Sequence, residues 1–136
     1  MNKESGCHIL FISDDVDNWT YTKLVLEDAR NDEIRYVSSY DEMRAIAGEV
    51  FDLIIIELTL TFDGDDGIAV YEQLRKIPAL KRSPVLLWRV PSPKNIYQRA
   101  QSLGIAGCIE LVSTPEELIT ARDSIRKGGT HYPPLR

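Results

Sequence analysis

Long apolar runs, cysteine and histidine are all scarce in this chain. None of its 136 residues falls in a run approaching the roughly 18 apolar residues that a membrane helix needs. The N-terminal "MNKESGCHILFIS" lacks a signal-peptide layout, because its apolar run is short and ends in acids. These two absences make a cytoplasmic protein with no membrane role the expectation. Only Cys7 and Cys108 carry thiols, in apolar strand-like contexts without metal-ligand spacing, so both read as small buried hydrophobes rather than a disulfide or ligand pair. His8 and His131 fall at a strand start and in the tail, and suggest no catalytic pair. Basic residues are outnumbered 16 to 21, and the formal charge of -5 argues against a broad nucleic-acid surface. Repeats and low-complexity tracts are missing as well. What is present, 43% hydrophobic and 27% charged residues, suits one soluble globular domain with a real core.

The order of apolar patterns is regular. "HILFIS" (8–13) suits a buried strand, and "DNWTYTKLVLEDA" (17–29) puts Tyr21, Leu24, Val25 and Ala29 at helical spacing. Strand and helix then recur as "IRYVSS" (34–39), "YDEMRAIAG" (40–48) closed by Gly48, "DLIIIEL" (52–58), and "GIAVYEQLRKI" (67–77) stopping before Pro78. "PVLLWR" (84–89) is a fourth strand, "PKNIYQRAQSLG" (93–104) a helix, and "AGCIEL" (106–111) a fifth strand. In the last helix Thr114 is the expected N-cap, Pro115 fits the first helical position and Glu117 completes a capping box, with Gly128 and Gly129 as the stop. The domain spans 1–129 on this reading, with 130–136 as the start of a linker or tail.

Five strands, apolar on both faces and each followed by a helix, describe a parallel sheet covered on two sides, the doubly wound α/β class. In the order 2-1-3-4-5 a ligand crevice opens at the carboxyl ends of strands 1 and 3, where the winding reverses. Those ends carry Asp14 and Asp15, and Glu57. A dinucleotide site is disfavoured, because the turn "SDDVDN" has no glycine and its charge repels phosphate.

Over about residues 7 to 129 the chain resembles a response-regulator receiver domain of bacterial two-component signalling, the CheY-like fold. The likeness rests on "ILFISDD" (first strand and acidic pair), "FDLIIIEL" (phosphoacceptor strand), "SPVLLWRV" (fourth strand) and "LGIAGCIELVSTPEEL" (fifth strand and its exit). "SIRKGGTHYPP" is similar to the point where LuxR/NarL-type regulators enter the linker to a DNA-binding domain. The resemblance implies an aspartate phosphorylated with the help of a divalent cation on the acidic pair, and a hydroxyl and a lysine contacting the phosphoryl group. Here Asp14 and Asp15 match the acidic pair, but Glu57 stands at the acceptor, Arg89 at the hydroxyl and Leu111 at the lysine. Cys108 replaces an aromatic residue that often reports the active state, Thr61 replaces a common proline, and "FDGDDG" lengthens the following loop.

Each departure has a chemical consequence. Glutamate for aspartate moves the carboxylate by one carbon–carbon bond, ~1.5 Å, in a reaction where a misplacement of ~1 Å can cost ~100-fold. Leu111 supplies no cation for a transferring phosphoryl group, where electrostatic positioning is most of the catalysis. Arg89 has a fork that matches a carboxylate, so a pair with Glu57 or with Asp14 and Asp15 is expected. Asp14, Asp15 and the Thr59 carbonyl are the candidate Mg²⁺ ligands, with Glu57 beside them; the alternative for the acids is a cap on the first helix by Asp15 or Asp17. Asp63, Asp65 and Asp66 read as turn residues, and Trp88 and Tyr97 as packing.

The leading expectation is a non-enzymatic, phosphorylation-independent pseudo-receiver acting through a protein partner or homodimer, without nucleic-acid contact of its own and with a DNA-binding output domain possible beyond Arg136. Two other readings are a receiver phosphorylated on Asp63 or Asp65 with Mg²⁺, and a small-molecule sensor with Arg89 as anion anchor.

Overall fold

The computed structural model describes residues 6–91 and 93–133. Its strands are β1 (His8–Ile12), β2 (Glu33–Val37), β3 (Leu53–Glu57), β4 (Val85–Val90) and β5 (Gly107–Glu110). The helices are α1 (Val16–Arg30), α2 (Tyr40–Ala45), α3 (Gly67–Leu74), α4 (Pro93–Leu103) and α5 (Pro115–Arg126). All sheet neighbours pair in parallel, in the order β2-β1-β3-β4-β5. This is the expected doubly wound topology.

Alternation along the strands builds two cores. Leu10, Ile12, Ile54, Ile56, Val85 and Leu87 face α2, α3 and α4, while Ile9, Phe11, Leu53, Ile55, Leu86 and Trp88 face α1 and α5. A strand buried on both faces has no polar alternation to show, which is why β1 and β3 read as continuous apolar runs. The helices begin where side chains satisfy free N–H groups: Asp15, Ser39, Asp66 and Thr114 are N-caps of α1, α2, α3 and α5. Thr114 caps as expected, accepting from the Glu117 amide.

Several boundaries differ from the sequence expectation. α2 stops at Ala45 and α3 at Leu74, each followed by a tighter turn, so the stretches to Gly48 and Ile77 are not regular helix. On α1 the buried residues are Thr22 and Leu26, with Tyr21 39% and Leu24 62% exposed, so the row read as the inner face is partly the outer one. The reason is tertiary: Trp19 stacks on Tyr36 of β2 at 5.3 Å, and that contact sets the rotation of the helix.

At the amino end of the sheet, Arg122 of α5 donates from Nε and Nη2 to Asp32 at 2.9 and 2.6 Å. Asp32 also accepts the Cys7 amide, tying α5 to the turn before β2 and the entry to β1. Both cysteines are buried and unbridged, as expected.

Candidate functional site

β3 ends in Glu57, which pairs with Trp88 of β4 and stands one residue beyond the Ile12–Ile56 pair at the end of β1. Parallel pairing brings the β1–α1 turn and the end of β4 around one carboxylate. Glu57 is only 6% exposed. Its Oε1 accepts from Ser13 Oγ at 2.5 Å and from Asn18 Nδ2 at 3.0 Å, and its Oε2 accepts from Thr59 Oγ1 at 3.2 Å. On the remaining side Arg89 Nε lies 3.6 Å from Oε2, an ion pair beyond hydrogen-bond reach. A carboxylate has about four lone-pair sites; three are engaged and the fourth faces a guanidinium.

Arg89 sits there because β4 is irregular. Val85 and Leu87 face one core and Leu86 and Trp88 the other, yet Val90 returns to the face of Val85 and Leu87. One residue is therefore extra, and the register with β5 shifts between Leu87 and Val90. Arg89 is that residue, with φ at 63°, a left-handed conformation costly for a bulky side chain. Its side chain is about one third exposed, its Nε is buried without a hydrogen-bond partner among the described residues, and its guanidinium carbon is 5.5 Å from the Trp88 ring centroid. The strand expected over 84–89 ends at Arg89, whereas β4 runs one residue further, to Val90. "VLLWRV" holds no glycine to signal the bulge.

The acidic pair does not converge on Glu57 as a metal cage. Asp14 Oδ2 accepts from the amide and hydroxyl of Thr61, at 3.1 and 3.3 Å, pinning the loop after β3. Asp15 is the α1 N-cap and accepts from the Asp17 amide at 2.9 Å. Among the described residues no group of three or more His, Cys, Asp or Glu could hold a metal ion. Of the expected set of Asp14, Asp15, Thr59 and Glu57, the first two are thus engaged by Thr61 and by the first turn of α1. Thr59 instead contributes its hydroxyl to Glu57.

Phe62 and Asp65 pair across Asp63 and Gly64, both at positive φ, in the two-residue hairpin turn that Asp-Gly favours. Asp65 accepts from Tyr40 Oη at 2.5 Å and Asp66 caps α3, so these acids serve the loop itself. Leu111 follows β5 and is 40% exposed. Cys108 is fully buried, and that burial pushes its thiol up to about 12. Ser13 and Asn18, the two donors on Oε1, were missed by sequence reasoning. Both lie in the turn "SDDVDN", whose acids drew the attention, and the parallel registry of β1 and β3 brings that turn to residue 57.

No family model and no curated protein matches the chain. Solved structures do match. The isolated receiver domain of RcsB from Salmonella enterica serovar Typhimurium, in the presence of the phosphomimetic BeF3-, superposes with a TM-score of 0.79 at 16% identity, covering 95% of this chain and 94% of that one. A LuxR-family two-component response regulator from Aurantimonas sp. SI85-9A1 gives 0.78 at 20% identity over 93% and 89% of the two chains. RcsB dimers bound to two parallel DNAs give 0.79 at 15% identity, covering 95% of this chain and 64% of that one. The chain has the fold of response-regulator receiver domains.

Proposed function

We propose that this receiver-like chain is a signalling module that works without phosphorylation, a pseudo-receiver acting through contacts with a protein partner or a second copy of itself. One observation carries the reading: Glu57, at the acceptor position, is buried with its oxygens engaged by Ser13, Asn18 and Thr59 and its last side against Arg89. A nucleophile needs a free lone pair aimed at the incoming phosphorus, and here three of about four are taken by neutral donors while the fourth faces the Arg89 guanidinium. Leu111 removes the cation that would stabilise the transferring charge. The Glu57–Arg89 pair substitutes a permanent contact for one that a phosphoryl group would make transiently. No catalytic role falls to any residue here. In this reading DNA contact belongs to an output domain beyond Arg136.

Acetyl phosphate with Mg²⁺ is expected to leave the intact mass unchanged. Glu57→Asp alone is expected to stay unmodified, because Arg89 and Leu111 still withhold the hydroxyl and the lysine. Glu57→Asp combined with Arg89→Thr and Leu111→Lys is the variant in which a phospho-adduct is expected. A stable adduct on the unaltered chain, at any acidic residue, would overturn the reading.

A further inference from the structure

β5 is the last strand of the sheet, and its outer edge is not bare. After α5 the chain reverses at Gly128, with φ at 90°, and runs back along that edge. The His131 amide donates to Ala106 O at 3.0 Å, His131 O accepts from the Cys108 amide at 2.8 Å, and His131 bridges Gly107 in parallel. Tyr132 Oη donates to Ile105 O at 2.5 Å, and its ring meets Tyr97 of α4 edge-on at 5.6 Å. On the other side Ser124 of α5 donates to Thr130 O at 2.9 Å. The segment thus lies between α4 and α5. Gly107 is shaped for it: a Cβ there would stand 2.6 Å from His131 O, closer than a side chain tolerates.

The pairing is nevertheless cut short by the sequence. In a parallel ladder the residue two beyond His131 would offer its N–H to Cys108 O, and that residue is Pro133, which has none. A second proline follows it. Tyr97, whose ring meets Tyr132, has its hydroxyl buried without a hydrogen-bond partner among the described residues. The seat therefore has more hydrogen-bonding capacity than its occupant uses.

We propose that the β5 edge, between α4 and α5, is a strand-accepting site held in the resting chain by residues 130–132, and that the partner it takes on their release is an extended peptide segment added in parallel. An incoming strand with an ordinary residue opposite Ile109 completes the bond that Pro133 forfeits, and β-augmentation of this kind draws its affinity from main-chain bonds. The hold is short, two ladder bonds at His131 with side-chain contacts from Ser124, Tyr132 and a His131–Glu117 pair at 3.4 Å, which makes the chain's own segment a cover that can be displaced rather than a permanent sixth strand. The proposal does not depend on the chemistry of Glu57.

Amide hydrogen exchange tests it in the full chain. Tyr132→Ala removes the anchor and Gly107→Val removes the space, so each is expected to speed exchange of the Cys108 amide by about 10-fold. The Cys7 amide, bonded to Asp32 away from this edge, is the internal reference and is expected to be unchanged. A short synthetic peptide copying residues 127–132 and continuing in valine, titrated into Tyr132→Ala, is expected to restore Cys108 protection saturably. Unchanged Cys108 exchange in both variants, equal acceleration at Cys7, or failure of the peptide to protect would each overturn the proposal.

Discussion

Two acid–arginine pairs stand at opposite ends of the sheet, and they are built for different purposes. At the amino end Asp32 and Arg122 meet in a two-point contact at 2.6 and 2.9 Å, with side chains 0% and 10% exposed and the remaining acid lone pairs drawn on by the Cys7 amide. At the carboxyl end Glu57 is buried too, with its side chain 7% exposed, but its hydrogen bonds come from neutral hydroxyl and amide groups, and Arg89 stands off at 3.6 Å on a left-handed backbone. Removing either ion of the first pair strands a buried charge. In the second pair the acid is already solvated by protein dipoles, so the arginine is free to matter for conformation more than for folding. Strain of this sort gathers where a site must hold an unusual geometry.

That contrast can be broken by substitution. Arg122→Met is expected to have the largest effect, a loss of about 3–5 kcal/mol, because Asp32 would keep a buried charge with only the Cys7 amide beside it. Urea unfolding followed by circular dichroism measures it, and a loss below about 1 kcal/mol would mean that water reaches Asp32. Glu57→Ala comes next, at about 1–3 kcal/mol, since Ser13 Oγ loses its buried acceptor while Asn18 and Thr59, which are partly exposed, can turn to solvent. Arg89→Gly should be the mildest, within about 1 kcal/mol of the parent in either direction, because relief of the left-handed strain offsets the weak ion pair and the added freedom of the unfolded chain. A change at Arg89 as large as that at Arg122 would erase the distinction between the two pairs.

Legibility in the sequence follows the range of the interactions involved. The strand and helix order, the cap at Thr114, the burial of both cysteines and of Trp88 and Tyr97, and the winding 2-1-3-4-5 were all readable, because each rests on apolar runs, on contacts a few residues apart or on the habit of this fold class. The acidic pair and Glu57 could be placed at neighbouring strand ends for the same reason: topology alone puts them there.

What those acids touch was decided only by the tertiary structure. Ser13 and Asn18 reach Glu57 across separations of 44 and 39 residues, and Asp14 finds Thr61 across 47, through a parallel registry that no local pattern encodes. The rotation of α1 about Trp19 and Tyr36, the bulge that turns Arg89 towards Glu57, and the return of residues 130–132 along β5 are likewise products of packing. Apolar periodicity specifies which face of an element is buried, but the choice of hydrogen-bond partner at a strand end depends on ångström-scale positions that emerge once the sheet and both helical layers have closed.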